Sequence, residues 1–423
     1  MQLRRLLSHG AIYGLGSVVV RAITWLSLPV YLRLLSKAEY GIYDYIVLLG
    51  TFASTLLGFQ IYEGLARLWS EMNSNEERRS LFSTAWWFTL LCCTVFCTVI
   101  AIFHVPIGNL LFHGNGPPAI TMLAGAIFIA TNALYYLLQV ALRFDDKPAL
   151  FVANAITASL SGFALGLFAL MVLNAGVAGL LLGQAGGLCA GLLLALLSMR
   201  KHLRFGFDGK IFGEAMNYAG PMIAVGLLAA LLLGAPRLIV KGAVPIETYA
   251  SFAAAIRLAA LPTFALTALK MGLYPLIYKH QNETGTARQM SRVLTILMFP
   301  ILCLVMLVGL FAENIVPLVL SAKYIDATPY LLPLTLCTVL LNINLFNPAF
   351  QIVKRTRLMM YFYMTFSVLM LASCYAALRV SGILATSWTA CCVAFLFAGA
   401  WFALSHRHYP VPFDWRRIGF AAG

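Results

Sequence analysis

The chain is 423 residues long, 61% hydrophobic and only 10% charged, with a formal net charge of +14. Soluble domains carry about a quarter charged residues, so the polar material here cannot cover a soluble core of this size. The composition excludes a soluble globular protein and makes apolar surface face lipid. The positive charge is not a nucleic-acid footprint, because no basic stripe with interleaved aromatics lies in a soluble segment.

Arg4 and Arg5 precede an apolar run from about Gly10 to Leu32. That run is too long for a secretory signal and ends in no small-residue cleavage site, so it is expected to be a signal-anchor and the first spanning helix. A span needs about 20 predominantly apolar residues. In chain order such runs are 10–33, 41–68, 81–103, 119–142, 149–173, 177–199, 215–240, 248–277, 292–311, 329–352, 358–379 and 381–404. The pairs at 149–199 and 358–404 turn tightly at Asn174–Gly176 and Val380–Gly382, as helical hairpins. Prolines inside the spans, Pro262 and Pro300 among them, are tolerated where neighbours re-satisfy the backbone. The longest outer loops, about 104–118 and 312–328, are short.

With the N-terminus placed in the cytoplasm, most Lys and Arg residues outside the spans fall inside, including Arg78, Arg79, Arg200, Lys201 and Arg204. Arg33, Lys37, Lys241, Lys323 and Arg379 fall outside. Retention of basic residues on the cytoplasmic side predicts that both termini lie there. The halves also resemble each other. KAEYGIY and IETYASF lead into the second and eighth spans, QVALR and QIVKR end the fourth and tenth, and Gly176 and Gly382 mark corresponding turns. The expected fold is an all-α integral membrane protein. Its about twelve transmembrane helices form two six-helix bundles, 1–205 and 206–423, around a V-shaped central cavity with the substrate site between the halves.

Five basic residues fall within spans: Arg21, Arg67, Arg237, Arg257 and Lys270. Arg67 and Arg237 are near span ends and are expected to snorkel to the headgroups. Arg21 and Arg257 are deeper, where a charge costs roughly 2.5–3.5 kcal/mol and almost always faces a bundle interior or aqueous cavity. Gly14, Ser17, Arg21 and Thr24 follow helical spacing and make a small, polar stripe. The alternative for Arg21 is a structural ion pair with Glu63 or Asp44, and the two readings are compatible. Around Arg257, Ala253 to Ala255 and Ala259 to Ala260 make room. Lys270 falls roughly 220° around an ideal helix from Arg257, unless a kink at Pro262 rotates it.

A cavity with arginines and few acids attracts anions, and Arg matches phosphate bidentately. The substrate-binding candidates are therefore Arg21, Arg257, Ser17, Thr24 and Lys270. Asp44 and Glu63 are the candidates for ion coupling. No catalytic constellation, P-loop or metal-ligand spacing is present. The 9 cysteines lie in apolar runs and act as small hydrophobes. Asp145–Asp146 is expected to offset Arg143 and Lys147. Neither an enzyme activity nor a cofactor is expected.

The chain resembles the polysaccharide flippases of the multidrug/oligosaccharidyl-lipid/polysaccharide exporter superfamily, the Wzx-like O-antigen and exopolysaccharide transporters. The resemblance is carried by GLGSVVVRAITWLSLPVYLRLLSKAEYGIYD, by SEMNSNEERRS and by the QVALR turn. It implies alternating access in the inner membrane of a bacterium, moving undecaprenyl-diphosphate-linked oligosaccharide between leaflets for lipopolysaccharide or other surface polysaccharide. It also implies a proton or sodium gradient or downstream polymerisation as the energy source, and a polymerase and glycosyltransferases as partners. Related lipid II flippases line their cavity with arginines on the first, second and eighth helices. Arg21 and Arg257 match the first and last, whereas the second span here has only Arg67 at its end. Rival expectations are a cation-coupled multidrug exporter, which wants interior carboxylates, and a membrane enzyme or non-transporting component of a polysaccharide synthase.

Overall fold

The computed structural model describes residues 2–69, 71–72, 74–114, 116–144, 147–263, 266, 285–342, 356–408 and 410. Within these, the side chains of 2–15, 17–18, 286–287, 290, 293–295 and 356 are not described. The regular elements among the described residues are helical. In chain order they are α1 (Gln2–Leu34), α2 (Lys37–Leu56), α3 (Ile61–Trp69), α4 (Asn75–Phe112), α5 (Ala119–Phe144), α6 (Pro148–Met171) and α7 (Gly176–Met199). Then come α8 (Gly209–Lys241), α9 (Ile246–Ala259), α10 (Thr286–Leu310), α11 (Ala312–Ile315), α12 (Thr328–Asn342) and α13 (Thr356–His408). Gly382, at φ 78°, breaks α13 into two arms.

Among the described residues, 7 helices are long and apolar enough to cross a membrane, or up to 9 if each of two bent pairs is one span. Their outward faces carry Leu110 at 78%, Ile296 at 71% and Phe395 at 67% exposure. Apolar surface on that scale belongs in lipid. The chain is an all-α, multi-pass membrane protein, as its composition requires.

Three expected spans differ in shape. The run 41–68 is not one helix: α2 stops at Leu56 and α3 resumes after a bend of 51°. The cause is local. Gly58, Phe59 and Gln60 take φ of 135°, 48° and 51°, outside the right-handed helical region. The run 248–277 is interrupted as well, because α9 ends at Ala259 just ahead of Pro262. Proline lacks the N–H for the next turn and its ring clashes with the carbonyl four residues back. Finally, the expected outer loops are mostly helical. The helix α4 continues to Phe112 across a kink at Phe103, and the segment Ala312–Leu320 leaves Ile296–Leu310 at 70°.

The chain forms two compact units, Met1–Leu227 and Leu228–Gly423, with the boundary inside α8. In the first, α6 and α7 form a tight hairpin through Asn174 and Gly176, both at positive φ. Small residues let these helices approach. A Cβ on Gly183 would collide with the backbone of Gly166, and one on Gly187 with the backbone of Gly162. A buried polar chain ties in α5: Gln139 Nε2 donates to Tyr135 Oη and, at 3.0 Å, to Asn154 Oδ1, and Asn154 Nδ2 donates to the Gly191 carbonyl. The segment after α7 docks back on α4. Trp87 Nε1 donates to Arg204 O at 2.9 Å, Asp208 N donates to Thr84 Oγ1 at 3.0 Å, and Trp87 stacks on Phe205. That docking keeps the start of α8 in the first unit.

The second unit is centred on α12 and α13. Phe362, Phe366, Phe397 and Trp401 pack together across the two arms of α13. Thr338 Oγ1 on α12 donates to Ala259 O at 2.8 Å, which seats the end of α9. The units echo each other at corresponding points. Tyr40 and Tyr249, near the starts of α2 and α9, are both fully buried. Phe103 (φ −106°, ψ 22°) and Phe311 (φ −102°, ψ 17°) make the same backbone kink.

The glycine contacts give a direct test. Gly183→Val should overpack the α6–α7 seam at a cost of about 1–3 kcal/mol and lower the melting midpoint of the detergent-solubilised protein. Gly220→Ala, where an added Cβ meets nothing within 4 Å, should leave the midpoint unchanged.

Candidate functional site

Two of the sequence stretches that carry the family resemblance prove to be helix starts. Ser36 and Glu39 form a capping box on α2: Ser36 Oγ accepts from Glu39 N at 3.2 Å, and Ser36 N donates to Glu39 Oε2 at 2.8 Å. Ser74 and Glu77 do the same for α4, at 3.2 Å in both directions. Each satisfies orphan N–H groups of a helix start. They fix where α2 and α4 begin, and thereby the register of the side chains further along.

On α1, Arg21 is half-buried and Thr24 is exposed. Their spacing puts them on one helix face. Thr24 Oγ1 donates to Val20 O at 3.0 Å, so its proton is committed to its own helix and only its lone pairs face outward. Ser17 lies on α1, but its side chain is outside the described residues, as is that of Gly14. Arg257 is half-buried in the last turn of α9. Ala253, Ala254, Ala255 and Ala259 around it are fully buried. Their small size admits the packing of α12 against α9 rather than leaving open space. Lys270, the run 351–355 and the Asp145–Asp146 pair lie outside the described residues.

The carboxylates separate. Asp44 on α2 is fully buried. Glu63 is on α3, which packs on α4 and α5, whereas α1 packs chiefly on α6. The charge that Glu63 senses is Arg143, at the end of α5, and Tyr136 lies within reach of both. Arg143 also covers the Phe151 ring at 5.3 Å. Of the two acids considered as partners for Arg21, Glu63 thus lies on a helix that packs on α4 and α5 and feels the charge of Arg143. Arg67 pairs with Glu71 at 2.9 Å, both about half exposed, in keeping with a residue near a helix end.

Sequence reasoning missed the polar ground at the α2–α3 break. A cavity of about 120 Å³ lies there, lined by Ser54, Thr55, Tyr62, Thr89, Asn132 and Tyr136 with neighbouring apolar groups. Tyr62 and Tyr136 meet edge to face, with ring centroids 4.7 Å apart. A second cavity of about 270 Å³, almost wholly apolar, lies further along α2 against α4 and α5. The signal in the sequence was Ser54, Thr55 and Gly58 inside an otherwise apolar span.

The chain superposes on lipid II flippase MurJ in an inward closed conformation with a TM-score of 0.77 at 13% identity, covering 96% of this chain and 90% of that one. The Vibrio cholerae MATE transporter VcmN in the bent form gives 0.66 at 12% identity, covering 99% of this chain and 98% of that one. A MOP superfamily transporter from Pyrococcus furiosus Vc1, for which reverse polarity of the binding pocket suggests a different function, gives 0.65 at 14%, covering 99% of this chain and 97% of that one. These likenesses establish the fold of the MOP superfamily. Residues 30–329 match the family of polysaccharide biosynthesis proteins, and the chain belongs to that family. No curated protein matches it.

If Arg143 offsets the half-buried Glu63 carboxylate, Arg143→Ala should lower the melting midpoint, and adding Glu63→Ala should recover part of that loss. Removing Arg143, which is itself exposed, strands the half-buried carboxylate, whereas removing both does not. No recovery in the double variant would contradict the pairing.

Proposed function

We propose that the protein is a lipid-linked oligosaccharide flippase. It moves undecaprenyl-diphosphate-linked glycan units across the bacterial inner membrane by alternating access, with both termini in the cytoplasm. The observation that carries this reading is membership of the polysaccharide biosynthesis family across residues 30–329, in a chain whose fold matches a lipid flippase. Arg21 and Arg257 bind the diphosphate, because each is a guanidinium only half-buried within an apolar helix, and such a group matches phosphate oxygens bidentately. Ser17 and Thr24 extend the polar face of α1, and Lys270 adds a cation. Two six-helix bundles supply the moving parts. Asp44 and Glu63 couple transport to an ion gradient. Glycosyltransferases supply the cargo and a polymerase consumes it, in the making of O-antigen or exopolysaccharide.

The likeness to MATE transporters supports a second reading, a cation-coupled multidrug exporter. Asp44 is the observation that favours it, since a fully buried carboxylate on α2 can receive a cation. Transport of a fluorescent undecaprenyl-diphosphate oligosaccharide in proteoliposomes decides between them. Wild type should translocate it, and Arg21→Ala and Arg257→Ala should each lose about tenfold or more, the worth of one charge-assisted bond. Arg67→Ala should retain full rate. Wild-type transport of an organic cation, with none of the diphosphate, would overturn the reading.

A further inference from the structure

We propose that the break between α2 and α3 is a binding site for a monovalent alkali cation, Na⁺ in the first instance. Its ligands are the neutral oxygens of Ser54, Thr55, Thr89 and Asn132 and the carbonyls freed at the end of α2. Four observations converge on the cavity of about 120 Å³ at this point.

The hydroxyls are oriented. Ser54 Oγ donates to Thr51 O at 3.2 Å, Thr55 Oγ1 donates to Thr51 O at 3.0 Å, and Thr89 Oγ1 donates to Ala85 O at 2.8 Å. Each hydroxyl has one proton, and all three are spent on the backbone of their own helix. What these hydroxyls turn towards the cavity is lone pairs, which suit a cation and repel an anion.

The backbone adds more acceptors. Gly58 N and Phe59 N both donate to Leu56 O, at 3.0 Å each, instead of continuing the helical ladder. The carbonyls of Ser54 and Thr55 thereby lose the partners an unbroken helix would give them. They sit at the C-terminal end of α2, where the helix dipole is negative. Unwound carbonyls at helix breaks in membranes coordinate Na⁺ on this principle.

Asn132, inside the membrane helix α5, also lines the cavity and makes no hydrogen bond among the described residues. The residue is half-buried, so its amide oxygen remains available to a ligand in the cavity. The backbone is strained as well, with Phe59 and Gln60 both at positive φ. Non-glycine residues held there cluster at functional sites.

The charge balance selects a monovalent ion. Among the described residues no carboxylate lines the cavity, and divalent ions rely on carboxylates for their affinity. Nearby on α3, Glu63 feels the positive charge of Arg143. The volume admits a cation with several waters, each needing about 10–15 Å³.

The test uses the purified full-length protein in detergent, without cargo, so it stands apart from the flippase reading. The melting midpoint is followed in NaCl and in N-methyl-D-glucamine chloride at equal ionic strength, alongside ²²Na⁺ binding by scintillation. We expect a saturable rise with Na⁺ and saturable ²²Na⁺ binding. Thr55→Val and Asn132→Leu should each weaken the apparent Na⁺ affinity about tenfold, and Thr55→Ser should retain it. Equal midpoints in the two salts with no saturable ²²Na⁺ binding to wild type would overturn the proposal. So would undiminished Na⁺ affinity in both Thr55→Val and Asn132→Leu.

Discussion

A backbone carbonyl or a charged side chain in the hydrocarbon core of a membrane has no water to turn to, and each one left unpaired costs several kcal/mol. That constraint orders the rest of this molecule. Most of the chain meets it by staying helical, so that N–H and C=O groups satisfy each other within each span. Serines and threonines mid-helix follow the same rule, as Thr89, Thr335 and Ser387 do in donating to carbonyls of the preceding turn. Where the rule is broken, the break is local and has a purpose or a partner. Glu63 is half-buried and feels the charge of Arg143. Gln139 and Asn154 close a buried chain onto a carbonyl of α7. Arg21 and Arg257 are held halfway into apolar helices.

Packing follows from the same solvent. With lipid outside, apolar side chains gain little by turning inward, so helices associate through close fit and interior polar contacts. The α6–α7 seam uses glycine against glycine, with Gly183 on Gly166 and Gly187 on Gly162. The second unit instead uses large rings, Phe362, Phe366, Phe397 and Trp401. The boundary between units lies within α8 because Trp87, Thr84 and Ser83 hold the preceding segment to α4.

Much of the fold was legible because hydropathy reports directly on lipid contact. The runs 119–142 and 177–199 appear as α5 and α7 with ends shifted by a few residues. The hairpin turns were legible from Asn174, Gly176 and Gly382, since positive φ asks for such residues. Hydropathy does not report on backbone continuity. Phe59 and Gln60 are ordinary residues for a helix, and nothing in their side chains announces left-handed backbone. The α2–α3 break, and with it the polar cavity, therefore stayed hidden, although Gly58 marked its start. Arg21, Arg257 and Glu63 stand out in the sequence because each is a charge inside an apolar run. Which helices α3 packs against, α4 and α5, is not legible from sequence order.

A carrier of a negatively charged lipid-linked headgroup should be stabilised by that headgroup. The most direct measurement is ligand-induced stabilisation of the purified protein. Undecaprenyl diphosphate is compared with its monophosphate and with a quaternary ammonium amphiphile of similar tail length. The account predicts a saturable rise in melting midpoint that is largest for the diphosphate and smaller for the monophosphate. It predicts no rise with the cationic amphiphile, and loss of the diphosphate response in the Arg21→Ala, Arg257→Ala double variant. Stabilisation by the cation that equals or exceeds that by the diphosphate would contradict it.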